Sequence, residues 1–347
     1  MSDEPLWLET DYFEQFRCKG GACRNSCCEG WQIAVGMKEY FDLIGRECSP
    51  QLHHKLECAF RAPEEPSPER FRLISPNWLG KCPLHGEDGL CELHRECGAE
   101  ALPEICRVYP RSMKREDGLN QACCTGSCEA VIELLMKEEQ LSFRFSHRSA
   151  RPELNENDDT AVLQDGPACM QMLQRREKPL AARLAGICAH VSGREFAADP
   201  EEKGAALQSV VSLIGELGEE SRSLRLFGEP ALERYGDGDL AAFHQDEDLF
   251  EQRFPLWRRW FENILANHLF YVNFPCVDAR VHPDEAACGL CAVYGLMRVI
   301  SVSWSRESGE ESAVADAIAG VFRLVEHSPF YYNAHLLIQR PEILLTL

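Results

Sequence analysis

The pattern of hydrophobic and polar positions divides the chain into two unlike parts. From about residue 168 onward, apolar residues recur at spacings of three and four, which predicts amphipathic helices. Before about residue 135 the apolar runs are short and interrupted by Gly and Pro, which predicts loops and short helices. No run shows the period of two that indicates a strand. The pattern predicts a mostly α protein, with an irregular N-terminal part and a helical C-terminal domain.

Several segments of the second part are predicted as helices. "KGAALQSVVSLIGELGEE" predicts a helix that ends near Gly218, and "CGLCAVYGLMRVISVSW" is apolar nearly all round, which predicts a buried helix. Pro179 interrupts the helical pattern of "ACMQMLQRREKPLAARLAGICAHV". The remaining predicted helices are "PLWRRWFENILANHLFYVNF", "ESAVADAIAGVFRLVEHSP" and "FYYNAHLLIQ".

The same pattern predicts where the domains end. Residues 1–135 form the cysteine-rich part, and residues 168–347 form the helical domain. Residues 136–167 are rich in polar and turn-forming residues, so they are predicted to be a linker or an exposed loop.

Charge and terminal sequence exclude several classes of protein. The formal net charge is −20, and a uniformly acidic surface repels both phosphate backbones and anionic lipids. We therefore expect no nucleic-acid partner and no membrane surface. The opening "MSDEPLWLETDYFEQFRC" has no basic segment followed by an apolar one, as a signal peptide would. No apolar run is expected to cross a membrane, so a cytoplasmic location is predicted.

The cysteines are distributed unevenly, and those of interest lie in four stretches of the first part. The chain has 18 cysteines, 13 of them within the first 128 residues. Disulfides are rare in a reducing cytoplasm, so this density indicates metal binding. The four stretches are "FRCKGGACRNSCCEGW", "GKCPLHGEDGLCEL", "CGAEALPEICRVYPR" and "QACCTGSCEA".

The spacing of these cysteines bears on the kind of metal. An all-sulfur site selects zinc or an iron–sulfur cluster. Structural zinc sites usually use paired Cys-x2-Cys units, and none occurs in the first 128 residues. Irregular spacings with Gly and Pro between them suit a cluster held by several loops. The spacing favours an iron–sulfur cluster, with zinc, or no metal at all, as the alternatives.

Other cysteines have simpler interpretations. Cys288 and Cys291 lie in a strongly apolar segment, so packing in the core is predicted for them. Core packing is also predicted for Cys48, Cys58 and Cys97, while Cys123 and Cys124 are ambiguous. The Cys-x3-Cys-x2-Cys signature of radical chemistry with S-adenosylmethionine is absent from the sequence.

The cysteine stretches resemble the flagellin lysine-N-methylase family. "FRCKGGACRNSCCEGWQIAV" is similar to the opening of that family, and "KCPLHGEDGLCELHRECGAEALPEICRVYPR" to its second block. "GSCEAVIELL" resembles a further element, with Glu129 where the family has Pro, and "WFENILANHLFYVNFP" resembles a C-terminal element. The blocks also resemble a broader group of small proteins thought to chelate zinc or iron.

The resemblance implies an activity and a cofactor. It implies transfer of a methyl group from S-adenosylmethionine to lysines of flagellin, with a 4Fe–4S cluster needed for activity. Extra cysteines at positions 48, 58, 97 and 123 depart from the family pattern. The candidate metal ligands are Cys18, Cys23, Cys27, Cys28, Cys82, Cys91, Cys106 and Cys128.

Four further residues are candidates for the chemistry of methyl transfer. Tyr109 would orient or deprotonate the lysine amine, with a packing role as the alternative. Arg107 and Arg111 would hold the carboxylate of S-adenosylmethionine, with ion pairing as the alternative. Trp31 would stack on the adenine or the cluster rim, with a core role as the alternative. No Gly-rich dinucleotide-binding motif follows a strand pattern.

Two other functions compete with that of an enzyme. The first is a metal-binding scaffold, in which zinc or a cluster stabilises the N-terminal part while the helical part binds a partner. The second is a redox sensor that uses the adjacent cysteines without a metal.

Overall fold

The computed structural model of the chain describes residues 5–116, 119–147, 165–306 and 308–347. Contacts between residues divide the chain into two compact units. The cysteine unit is Arg17–Tyr109, and the helical unit combines Met1–Phe16 with Pro110–Leu347. The sequence had predicted boundaries at residues 135 and 167, and most of the predicted linker lies outside the described residues.

Both units are built from helices and short strands. The strands are β1 (Leu6–Thr10), β2 (Ile33–Val35), β3 (Phe60–Arg61), β4 (Arg72–Ile74), β5 (Arg111–Glu116), β6 (Leu119–Cys124) and β7 (Phe143–His147). The first helices are α1 (Met37–Ile44), α2 (Pro50–Ala59), α3 (Glu92–Cys97), α4 (Glu104–Val108), α5 (Glu129–Lys137), α6 (Gly166–Leu173) and α7 (Leu180–Ser192). The others are α8 (Lys203–Gly218), α9 (Arg222–Tyr235), α10 (Leu240–Arg253), α11 (Trp257–Tyr271), α12 (Pro283–Trp304), α13 (Glu311–Val325) and α14 (Phe330–Leu337).

The cysteine unit is a small sheet with helices packed beside it. Its strands lie in the order β2-β4-β3, and each neighbouring pair is antiparallel. Its core is small: Ile33, Val35, Leu43, Leu52, Leu56, Ala59, Ile74, Leu84, Leu93 and Ala101 are its buried residues. A core of this size stabilises a unit only weakly, so a bound metal would contribute substantially to its folding.

The helical unit contains a four-stranded sheet, and the expectation of no strands is therefore wrong. The strand order is β5-β6-β1-β7, with β1 parallel to β6 and antiparallel to β7. Strand β6 ends in Ala122, Cys123 and Cys124, which are all buried. A strand that is buried on both faces lacks the alternation by which half-buried strands are recognised, which explains the error. The prediction of a mostly α protein is confirmed.

The predicted helices of the second part are present. Helix α8 ends at Gly218, and Pro179 separates α6 from α7 at the predicted interruption. Helices α11, α13 and α14 correspond to the three remaining segments. The sequence analysis did not identify α9 and α10, whose mean hydropathy is low and whose apolar residues are few.

Helix α12 is the centre of the helical unit. It packs against α7, α8, α9, α13 and α14 and against the short C-terminal helix Pro341–Thr346. Among the described residues, α12 has the length and apolar composition to cross a membrane, so the expectation of no such segment is wrong. The helix is entirely buried within the unit, as the core helix of a globular fold is.

The segment "WFENILANHLFYVNFP", which resembles a C-terminal element of the family, has structural roles. Asn267 donates to the carbonyl of Cys124 at 2.9 Å and accepts from the hydroxyl of Tyr12 at 2.5 Å. Glu262 is buried and pairs with Arg183 at 2.5 Å and with Arg176 at 2.8 Å. These contacts attach α11 to β6 and to the start of α7.

Asn263 of the same element holds the end of α5. Its amide nitrogen donates to the carbonyls of Leu135 at 3.2 Å and Glu138 at 2.8 Å, and its oxygen accepts from the amide of Leu141 at 3.0 Å. Asn263 itself is fully buried. Its side chain therefore satisfies backbone groups that the end of a helix leaves without partners.

Replacing Asn263 with Ala should destabilise the helical unit. The change leaves three backbone groups without their partner, which costs about 2–4 kcal/mol of unfolding free energy. Urea unfolding followed by circular dichroism measures the change. Gln252→Ala, at an exposed position of α10, is the control and should have little effect. Equal stability of the two variants would contradict the structural role.

Candidate functional site

The first cysteine stretch is joined to the second by backbone hydrogen bonds within the cysteine unit. The amide of Cys82 donates to the carbonyl of Cys28 at 2.7 Å, and the amide of Gly30 donates to the carbonyl of Gly80 at 2.9 Å. Glu29 and Lys81 pair between the same two segments, at 3.3 Å. This pairing brings Cys28 beside Cys82, although 53 positions separate them in the sequence.

Two turns then present cysteine sulfurs to backbone amides. The amides of Leu84 and His85 donate to the sulfur of Cys82 and lower its pKa. The amides of Leu93 and His94, in the first turn of α3, donate in the same way to the sulfur of Cys91. Hydrogen bonds from amides to a cysteine sulfur favour the thiolate, which is the form that binds metals.

Four thiols of the unit lie close enough together to influence one another's ionisation. Burial raises the pKa of Cys82 to about 12, and the thiols of Cys28 and Cys91 raise it further. Burial is also the main cause that raises the pKa of Cys106, with contributions from Cys28, Cys82 and Cys91. The pKa of Cys91 is raised by burial and by Cys28. These thiols cannot all ionise together unless a cation compensates their charge.

Cys28 differs from the other three thiols. A hydrogen bond from Cys27 is the main cause that lowers its pKa to about 7, and Ser26 contributes, while burial opposes both. Cys28 is therefore the member of the group that ionises most readily at neutral pH.

The donor set of the four cysteines fits a soft metal. All-sulfur coordination is used by zinc and by iron–sulfur clusters. Within the described residues, no group of three or more His, Cys, Asp or Glu side chains is close enough together to hold one ion. The side chains of the four cysteines would have to move closer together before they could share a metal.

His85 is a candidate ligand that the sequence analysis missed. Its Nε2 atom is buried and has no hydrogen-bond partner among the described residues. Backbone pairing places His85 opposite Cys91, and its amide contacts Cys82. The spacing Cys-x2-His occurs in both "CPLH" and "CELH". This spacing could have identified His85 as a candidate, because histidine often accompanies cysteine in zinc sites.

The other predicted ligands lie in different surroundings. Cys18 and Cys27 are exposed and Cys23 is partly buried, all within the cysteine unit. Cys128 belongs to the helical unit, where it precedes α5 and raises the pKa of buried Cys124. Their roles as ligands stay predictions.

The predictions of core packing are confirmed for most of the remaining cysteines. Cys288 and Cys291 are buried in α12, and Cys48 and Cys97 pack against the core of the cysteine unit. The prediction is wrong for Cys58, which is exposed because it lies on the outer face of α2.

The residues predicted to bind substrates lie in two units. Within the cysteine unit, the rings of Trp31 and Tyr109 lie 6.1 Å apart, and the indole nitrogen of Trp31 donates to the carbonyl of Cys27 at 2.5 Å. Arg107 is in the same unit and pairs with Glu100 at 3.5 Å. Arg111 is in the helical unit, where its guanidinium donates to the carbonyl of Phe16 at 3.1 Å.

Comparison with known proteins identifies relatives of one kind. Over 107 residues, 30% of this chain, the sequence is 30% identical to the lysine-N-methylases of Salmonella typhimurium and Salmonella choleraesuis. It is 29% identical, over the same share of the chain, to the flagellar biosynthetic protein FliU of Salmonella muenchen. The resemblance to the flagellin lysine-N-methylases is thereby confirmed.

The similarity covers a limited part of each relative. The chain spans about a quarter of the length of the two lysine-N-methylases that it matches, at 26%, and 61% of FliU. No family model and no solved structure matches the chain.

Replacing Cys28, Cys82, Cys91 or Cys106 with Ser should remove most of the bound metal. Each change deletes one of the four neighbouring soft ligands. Metal per protein is measured by mass spectrometry after anaerobic purification, together with the visible absorbance of an iron–sulfur cluster. Cys58→Ser is the matched control, because Cys58 is exposed on α2 of the same unit. Unchanged metal content in all four variants would disprove this ligand set.

Proposed function

We propose that the protein is a protein-lysine N-methyltransferase that moves a methyl group from S-adenosylmethionine to surface lysines of flagellin. We propose further that its activity depends on a cysteine-bound 4Fe–4S cluster. The observation that carries the proposal is the convergence of Cys28, Cys82, Cys91 and Cys106 in a chain similar to lysine-N-methylases. The name of FliU supports flagellin as the protein substrate.

The cluster has a specific place in this proposal. Cys28, Cys82, Cys91 and Cys106 would hold it, and Cys18, Cys23, Cys27 and Cys128 remain further candidates. When bound, a 4Fe–4S cluster supplies one-electron redox chemistry and fixes the loops that carry its ligands. Zinc is the alternative for the same sulfur atoms.

The chain's own residues must prepare the lysine for attack. The ε-amine of lysine has an ordinary pKa of about 10.4, so at neutral pH it must lose a proton before it attacks the methyl group. We assign this step to Tyr109, whose ring lies beside Trp31 and which ends α4 three residues after Cys106. As the phenolate, its oxygen would take the proton from the ammonium and become the hydroxyl, which would then orient the neutral nitrogen towards the methyl donor.

Three other residues are proposed to bind S-adenosylmethionine. Arg107 of the cysteine unit, or Arg111 of the helical unit, would pair with its carboxylate, as guanidinium groups do in bidentate hydrogen bonds. Trp31 is partly exposed, and we propose that its ring stacks on the adenine. The net charge of −20 would favour encounter with exposed lysines and disfavour nucleic acid or an anionic membrane. We propose that the protein acts in the cytoplasm.

A metal-chelating scaffold or redox protein without methyltransferase activity is the second candidate. The observation that favours it is the limited extent of the similarity, which covers 30% of this chain. Such a protein would hold zinc or iron with the same cysteines and transfer no methyl group.

Anaerobically purified protein should transfer label from methyl-labelled S-adenosylmethionine to flagellin. The labelled residues are identified as methyl-lysine by mass spectrometry of the flagellin digest. The Cys82→Ser variant should lose both the metal and the activity. If label never reaches lysine while metal is bound at full occupancy, the proposal of methyltransferase activity is disproved. The proposal of a metal-binding scaffold is then supported.

Replacing Tyr109 with Phe should lower the methylation rate about 100-fold, as expected for loss of an acid–base group. The ring remains beside Trp31, so folding and metal content should not change. Arg95→Lys in the same unit is a control, because Arg95 forms an exposed ion pair with Asp88. An unchanged methylation rate for Tyr109→Phe would show that this tyrosine only packs against its neighbours and takes no part in the reaction.

A further inference from the structure

Four cysteines that the proposed metal site does not use lie together in the core of the helical unit. Cys169 lies in α6, Cys188 in α7, and Cys288 and Cys291 in α12, and all four side chains are buried. They are four of the five cysteines that follow residue 128 in the sequence. Helix α7 packs against both α6 and α12, and this packing brings thiols from distant segments to one place.

Cys188 is the centre of this group. Burial raises the pKa of Cys169 to about 12, and Asp165 and Cys188 contribute to the rise. Burial also raises the pKa of Cys288 to about 12, again with a contribution from Cys188. The pKa of Cys291 is raised well above its usual range by burial and then by a hydrogen bond to Cys188. Cys188 is therefore close to each of the other three thiols.

Two sulfur atoms of this group are in direct contact. Sγ of Cys188 lies 3.7 Å from Sγ of Cys291, although 103 positions separate the two residues. The thiol of Cys188 donates to the carbonyl of Ala287 at 3.6 Å, so its sulfur can still accept from the thiol of Cys291. Ala287 lies one helical turn before Cys291. Both contacts therefore hold the side chain of Cys188 against the same face of α12.

The geometry of this pair suits a disulfide bond. In a disulfide the two sulfur atoms are about 2 Å apart, and rotation of the two side chains with a small shift of one helix would close the remaining distance. Nothing separates the two thiols, because their sulfur atoms already touch. Cys288, three positions before Cys291, is placed differently, since its thiol contacts the carbonyl of Ile338 at 4.0 Å.

We propose that Cys188 and Cys291 form a disulfide bond between α7 and α12 when the protein meets a peroxide. One thiol loses its proton, and its sulfur attacks an oxygen of hydrogen peroxide; the O–O bond breaks, a sulfenic acid forms, and hydroxide leaves and takes up the proton as water. The second sulfur then attacks the first, the S–O bond breaks, and the oxygen leaves as water with the proton of the second thiol. Two thiols and one peroxide give one disulfide and two waters.

The bond would attach α7 covalently to the helix around which the helical unit is built. It would close a loop of about 100 residues, which restricts the unfolded chain and stabilises the folded one. Both sulfur atoms are buried and the attack requires a thiolate, so the reaction should be slower than oxidation of an exposed thiol. Neither cysteine belongs to the residues assigned to the metal or to methyl transfer.

Peptide mapping of the full chain tests this pair. The protein is treated with hydrogen peroxide, and the remaining thiols are alkylated. Trypsin then releases residues 184–194, whose only cysteine is Cys188, and residues 281–298, which contain Cys288 and Cys291. Mass spectrometry should find these two peptides joined, and dithiothreitol should separate them. In the Cys288→Ala variant the second peptide contains Cys291 alone, so a joined product identifies the pair directly.

Thermal unfolding measures the effect of the bond. Cys288→Ala treated with peroxide should have a Tm about 5–10 °C higher than the same sample after dithiothreitol. The double variant Cys188→Ala, Cys288→Ala keeps every other thiol and is the matched control, whose Tm should not rise. Joined peptides together with this difference would support the pair. If peroxide oxidises exposed Cys58 but joins no peptides, or joins them through Cys288 in the wild type, the proposal is overturned.

Discussion

The cost of ionising several thiols beside one another is the constraint on which the cysteine unit depends. Burial and mutual repulsion raise the pKa of Cys82, Cys91 and Cys106, whereas their use as ligands requires the thiolate. Amide groups that donate to the sulfurs of Cys82 and Cys91 offset a part of this cost before any ion is bound. A cation removes the rest, because each thiolate then faces a positive charge. Since the apolar core of the unit is small, binding of a metal would also stabilise its folded state.

Composition and spacing single out cysteines of the first part of the chain as candidate soft ligands, and this stays a prediction. They could not show that Cys28 pairs with Cys82 through the backbone, since that contact depends on long-range pairing of two loops. Nor could they separate Cys58, on the outer face of α2, from Cys48, which packs against the core from the loop before that helix, because burial depends on contacts that the local sequence does not show. His85 was missed because only cysteines were considered as ligands, so the Cys-x2-His spacing was not used.

In the fold, too, the local sequence predicts some elements, while others depend on pairing between distant segments. Helix α8 follows from apolar periodicity and α12 from a long apolar run, and both are properties of the segment itself. The strands of the helical unit could not be predicted from the local sequence, because β1 comes from the start of the chain and pairs with β6 more than 100 residues later. One local signal was available: Asp117 and Gly118 stand between β5 and β6, and such a dipeptide between two extended segments is typical of a hairpin. The polar residues of β5 obscured it.

The resemblance carries two different kinds of information. In the cysteine blocks, the matching residues are chemically reactive, and their convergence bears on function. In the C-terminal element, Glu262, Asn263 and Asn267 are buried and bind backbone groups or arginines of the same unit. In this chain the element therefore has a structural role, and it gives no evidence for a reaction.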